Sequence, residues 1–133
     1  MSEGVLLDTH TLLWYSVSPE QLPEGVMALL RKREQPVYVS AITAWELSIK
    51  VRLGKLPQAE SLYRHYHRRL AQYSFTDLPF SSVHALKEGE LDSAHGDPFD
   101  RALAAQALVE EVPIVSRDPV FAQLEGLMVL WDL

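Results

Sequence analysis

Five carboxylates of this chain stand where they could act together: Asp8, Glu46, Asp97, Asp100 and Asp118. Asp8 closes the apolar run of "GVLLD", and Asp118 lies two residues beyond "PIVS". Glu46 sits in the segment after "VYVS". Asp97 and Asp100 open "DPFDRALAAQALVEE", which leads into "PIVS". Ligands of open α/β sheets collect beyond the carboxyl ends of strands, so these acids are expected to meet at one edge. Like charges gathered there raise the free energy unless a cation neutralises them. A hard, oxygen-seeking ion, Mg²⁺ or Mn²⁺, is the natural partner. With no cysteine, thiolate ligation is excluded, and 18 acids against 5 histidines favour oxygen donors.

Each acid also has a plainer reading. Asp8 could cap the helix that starts at Thr9. Glu46 interrupts an apolar stripe of Ile42, Ile49 and Leu53; a buried carboxylate without a partner is costly, but Lys50 stands one turn on and could pair with it. Asp97 and Asp118 each precede a proline, the mark of a helix N-cap. Asp100 falls in a helix's first turn, where the helix dipole favours an acid, yet it heads the stripe Leu103, Ala104, Ala107 that should face the sheet. Arg101 and Arg117 flank the acids and could hold phosphate, or pair with a neighbouring carboxylate. His10, His65, His67, His84 and His95 show no paired metal spacing on one face, and most read as surface residues.

The elements that must position these groups alternate. Short apolar runs at 4–8, 36–40, 75–80, 112–116 and 127–133 read as strands. Helices are expected at 9–17, at 18–33 behind Ser18 and Pro19, at 41–56 with an end near Gly54, at 58–73, at 81–91, from Asp97 to Glu111, and briefly at 117–126. Strands alternating with helices imply a central parallel sheet of about five strands covered on both faces, a three-layer α/β/α sandwich. No repeat, linker or low-complexity tract divides the chain, so residues 1–133 read as one domain.

The net charge of −6 argues against a generic nucleic-acid binder, but the charge is uneven. Residues 31–69 hold nine of the twelve Lys and Arg and carry +6, whereas 1–30 carry −4 and 70–133 carry −8. A basic middle beside an acidic remainder suits a protein that grips a polyanion next to a cation; it also suits solvated helix faces. No apolar run approaches the roughly 20 residues that span a bilayer. "VLLDTHTLLW" lacks the basic flank of a signal peptide, and the absence of cysteine favours a reducing compartment. A cytoplasmic protein is expected.

The segments "LLDTHTLLW", "VSAITAWELSIKVRLGKL" and "HGDPFDRALAAQALVEEVPIVSRD" resemble the PIN-domain family, and most of all its VapC-type ribonuclease toxins of toxin–antitoxin pairs. The likeness runs through nearly the whole chain in the right order. It implies a metal-dependent endoribonuclease whose acidic pocket holds Mg²⁺ or Mn²⁺. The family's four acids fall on Asp8, Glu46, Asp100 and Asp118, with Asp97 the extra acid of a "DPFD" subgroup. Asp8 and Asp100 would be the primary ligands, and Glu46 and Asp118 would complete the shell or orient the attacking water. Ser116 fits the small hydroxyl that commonly follows the fourth strand, and with Arg101 and Arg117 it is a candidate for substrate binding. The resemblance also implies an RNA substrate, a separate antitoxin protein and a homodimer. Trp14, Tyr15 and Trp45 are candidates for the dimer or antitoxin surface, though Trp45 reads more readily as core. A non-catalytic PIN-like module that binds RNA or protein is the competing reading. A receiver-like phosphoacceptor fails, because the third strand reads "TDLP" and the last ends "LWDL".

Overall fold

The computed structural model describes residues 3–92 and 96–133. Five strands, β1 (Val5–Leu7), β2 (Val37–Ser40), β3 (Thr76–Leu78), β4 (Ile114–Val115) and β5 (Val129–Leu130), form one sheet in the order β3-β2-β1-β4-β5. Every neighbouring pair is parallel. β1 is central, with Leu7 in register with Val39 on one side and Val115 on the other. The chain runs outward from β1 to β2 and β3, then returns to the other side of β1 for β4. That reversal opens a crevice at the carboxyl ends of β1 and β4, where such sheets bind ligands.

Alternating side chains of a strand point to opposite faces, and β1 divides accordingly. Val5 and Leu7 join one core with Val37, Val39 and Val115. That core is covered by α1 (Thr9–Val17), α2 (Glu24–Arg31), α4 (Glu60–Arg64) and α5 (Tyr66–Tyr73). Leu6 points the other way and packs with Ile114 against Leu103, Ala104 and Ala107 of α7 (Pro98–Glu110) and against Phe121. The small residues of α7 let that helix lie close to the sheet. The remaining helices are α3 (Ala41–Arg52) and α6 (Ser82–Gly89). The expected three-layer architecture is therefore the observed one. No helix among the described residues is long and apolar enough to cross a membrane.

Two predicted helices are broken. Residues 18–33 split into a 3₁₀ turn, Pro19–Gln21, and α2. Pro23 removes an amide donor and drives the preceding Leu22 into extended backbone at φ −92°, ψ 135°, so no helix can run through it. The segment 58–73 becomes a 3₁₀ turn, Pro57–Ala59, and two short helices that meet at His65. By contrast, α3 ends as expected, with Gly54 at φ +72°, a conformation glycine adopts without steric penalty.

Leu7 is fully buried beneath the crevice. Leu7→Ala is expected to lower unfolding free energy by about 2–5 kcal/mol, measured by urea denaturation. A loss below about 1 kcal/mol would show that β1 is not the packed centre of the sheet.

Candidate active site

The crevice is a cleft of about 470 Å³ lined by Asp8, Thr9, His10, Trp14, Glu46, Lys50, Asp97, Asp100, Arg117, Asp118 and Pro119. All five acids picked out from the sequence border it, against one lysine, one arginine and one histidine, so its field favours a cation.

Asp8 follows β1 and is 7% exposed. Its Oδ1 accepts the Thr11 amide at 2.8 Å, capping α1. Its Oδ2 accepts the Ser116 hydroxyl at 2.5 Å. The cap reading of Asp8 therefore holds alongside its place in the cleft. Burial pushes the Asp8 carboxyl above its usual range; hydrogen bonds from Ser116 and Thr11 and the nearby His10 offset this only in part.

Glu46 is 4% exposed on α3. The Thr9 hydroxyl donates to its Oε1 at 2.6 Å, and Lys50 Nζ donates to its Oε2 at 2.5 Å. Thr9 has one hydroxyl proton and gives it to Glu46, so the 3.2 Å contact between Thr9 and Thr43 is donated by Thr43. The i,i+4 pair foreseen for Glu46 is thus real, and so is its burial. The apolar stripe is only half right: Leu53 is exposed, and the buried face of α3 is Ile42, Thr43, Glu46 and Leu47.

Asp97 caps α7, its Oδ1 accepting the amides of Phe99 at 2.9 Å and Asp100 at 3.1 Å. Asp100 lies in the first turn of that helix and lines the cleft. Asp118 caps the 3₁₀ turn Pro119–Gln123 through the Val120 amide at 3.0 Å, and it too borders the cleft.

Ser116 is 1% exposed and enclosed. It donates to Asp8 and accepts the Asp118 amide at 3.0 Å. The role of substrate contact expected for it is corrected: it ties the loop after β4 to the carboxylate after β1. Of the two readings of Arg101, pairing with a carboxylate is the one observed. Arg101 does not line the cleft; its Nε donates to Glu88 Oε1 at 2.6 Å, and its Nη2 donates to the carbonyls of Glu88 and Leu91. Arg117 remains at the cleft, its guanidinium 4.4 Å from the centre of the Trp14 ring, a cation–π contact that holds an exposed charge in place.

Other expectations divide. His10, His65 and His67 are exposed, His95 lies outside the described residues, and His84 is buried with Nε2 2.8 Å from Glu110. Trp45 is not core: it is 56% exposed and meets Phe99 edge-on at 5.2 Å, because it points away from the buried face of α3. In the basic segment Arg64 is bound to Glu60, and Arg69 to Ser16 and Ser61. Thr9, Thr43 and Thr11, whose hydroxyl donates to the Val115 carbonyl, were not singled out from the sequence. The alternation "DTHT" directly after a strand was the signal available.

The donors suit a hard divalent ion: all are oxygens, and Asp8 is a carboxylate that burial destabilises in its charged form. The Lys50 ammonium on Glu46 demonstrates that this pocket accepts positive charge. Among the described residues no three His, Asp or Glu side chains are arranged to hold one ion together. Mg²⁺ commonly uses one or two carboxylates and fills its remaining positions with water and substrate phosphate, a pattern this cleft can meet.

Residues 5–127 match the family model of the PIN domain. Similar solved structures include VapBC2 from Rickettsia felis bound to a DNA fragment from its promoter, 19% identical with a TM-score of 0.71 over 96% of this chain and 97% of that one. FitAcB from Neisseria gonorrhoeae is 27% identical with a TM-score of 0.69, covering 95% and 96%. A toxin–antitoxin complex from Klebsiella pneumoniae is 20% identical with a TM-score of 0.63, covering 97% and 98%. No match is found among curated protein sequences.

The raised Asp8 carboxyl pKa has a definite consequence for stability. The folded protein binds that proton more tightly than the unfolded chain, so the contribution is fully present below the unfolded pKa of about 3.9 and is lost as pH rises through the folded value. Above that range, burial of the charged carboxylate works against the metal-free fold. Asp8→Asn, nearly isosteric and uncharged, is expected to melt at or above the wild type in EDTA at pH 7, with its advantage shrinking toward pH 4. Melting curves that give the variant a constant deficit at all pH values would contradict this.

Proposed function

The chain belongs to the PIN domain family, and on that premise we propose that it is a Mg²⁺- or Mn²⁺-dependent endoribonuclease, the toxin of a toxin–antitoxin pair. The observation that carries the reading is the convergence of Asp8, Glu46, Asp97, Asp100 and Asp118 on one cleft at the carboxyl edge of the sheet. Asp8, at the end of β1, and Asp100, in the first turn of α7, would hold the ion. Such an ion would supply Lewis acidity toward a scissile phosphate and a water of lowered pKa. Ser116 and the Thr11 amide fix the Asp8 carboxylate. Asp118, which borders the same cleft, would orient the attacking water. Glu46, fixed by Thr9, holds Lys50 in the cleft. Lys50 and Arg117 present positive charge to the substrate backbone, which an acidic pocket would otherwise repel.

Asp97 has a structural task as the cap of α7, and Asp100 does not share it. Asp97→Ser is therefore expected to keep most cleavage and to lose about a few tenths of a kcal/mol in stability, since serine caps nearly as well. Asp100→Asn is expected to abolish cleavage and weaken Mn²⁺ binding with little change in melting temperature when metal is absent. Asp97→Ser inactive with Asp100→Asn active would reverse the assignment. RNA cleavage is expected to cease in excess EDTA and return with Mg²⁺ or Mn²⁺. Full cleavage in EDTA would rule out metal dependence. RNA binding without cleavage at any metal concentration would favour a non-catalytic module.

The partners proposed are a second copy of this chain and an antitoxin, laid across exposed apolar surface. Support comes from the fold shared with a solved toxin–antitoxin complex and from the exposed Trp45. Light scattering at micromolar concentration is expected to give the mass of a dimer, and Trp45→Ala to shift it toward the monomer. A monomeric wild type would contradict the pairing.

A further inference from the structure

Lys50 holds a cation's place in the cleft. Glu46 is a nearly inaccessible carboxylate with both oxygens engaged, Oε1 by the Thr9 hydroxyl at 2.6 Å and Oε2 by the Lys50 ammonium at 2.5 Å. Burying such a group as an anion requires a compensating positive charge. Elsewhere in the fold a surface arginine could fill that need, as Arg64 does for Glu60. Here the compensating charge lines the same cleft as Asp8 and Asp100. It is also tethered: Lys50 lies one turn after Glu46 on α3, the favoured i,i+4 order, and its side chain is 27% exposed against 5% for Glu46.

We infer that Lys50 occupies a cation position at Glu46 that a divalent ion would otherwise take. A carboxylate has room for about four acceptor contacts, so geometry alone does not bar an ion from sharing Glu46. Charge does. A divalent ion within a few ångströms of the ammonium would be repelled by it in a partly desolvated cleft, with one carboxylate charge between them. The wild-type cleft therefore takes its ion on the Asp8–Asp100 side, and Glu46 acts by positioning Lys50 rather than as a metal ligand. The ion's identity rests on the proposed function; the assignment of Lys50 does not, because it is read as a difference between two proteins.

The test titrates Mn²⁺ alone, without RNA, and counts bound ions per chain from the loss of the free Mn²⁺ signal in electron paramagnetic resonance. Lys50→Met keeps the length of the side chain and removes its charge. It is expected to bind one ion more per chain than the wild type, to melt below it in EDTA, and to recover when Mn²⁺ is added. Lys50→Arg, which keeps the charge, is expected to keep the wild-type count. The double variant Glu46→Gln with Lys50→Met is expected to return to the wild-type count and to lose the Mn²⁺-dependent recovery. Equal counts in wild type and Lys50→Met would overturn the inference. If Lys50→Met does not fold without metal, the wild-type count decides: two ions bound with Lys50 in place overturn it, and one ion upholds it. A wild type that binds no Mn²⁺ beside a Lys50→Met that binds one would uphold the role of Lys50 and refute the metal-dependent reading of the native cleft.

Discussion

Two carboxylates are buried where the central strands of the sheet end, and much of the local structure answers that one constraint. An ionised group out of water must be hydrogen-bonded and compensated. Asp8 takes the Thr11 amide and the Ser116 hydroxyl; Glu46 takes the Thr9 hydroxyl and the Lys50 ammonium. Thr9, Thr11, Thr43 and Ser116 are thus enclosed polar residues inside an otherwise apolar interior. Their hydroxyls fix the carboxylates in place but cannot neutralise them. Burial still raises the Asp8 carboxyl above its usual range, so its charged form is disfavoured unless a cation joins it.

Topology converts that local constraint into a site. Because the chain reverses direction about β1, the loops after β1 and β4 diverge and leave a crevice instead of closing over one another. Ser116 bridges those loops from beneath, donating to Asp8 and accepting from the Asp118 amide. The small residues of α7 bring its N-terminal turn to the same edge, carrying Asp97 and Asp100 with it. The floor of the cleft is therefore hydrogen-bonded to the ends of the sheet, while Arg117 and Asp118 at its rim are exposed.

The sequence carried the architecture well because its signals were local. Brief apolar runs marked the strands, and Pro98 and Gly54 marked where helices begin and end. It carried the acids well because a carboxylate at the end of an apolar run or inside a helical stripe is conspicuous. It carried partners poorly. Arg101 stands beside Asp100 in the chain, yet a residue one step round the helix points elsewhere, here to Glu88. Ser116 looked like a substrate contact because it adjoins the site, but only the fold reveals that it is enclosed. Trp45 looked like core because it is large and apolar, whereas its place on α3 is set by which neighbours the helix buries. The helix expected at 18–33 failed for a reason visible in the chain, since Pro23 follows Leu22.

The proposed function requires a hard divalent ion held by Asp8 and Asp100. Paramagnetic broadening of backbone amide resonances by substoichiometric Mn²⁺ reports directly on where such an ion sits. The account predicts that the amides of Asp8, Thr9, Asp100 and Arg117 broaden first, while those of β3 and α6 stay sharp until far more Mn²⁺ is added. Broadening spread evenly over the acidic surface, or centred away from the ends of β1 and β4, would contradict it.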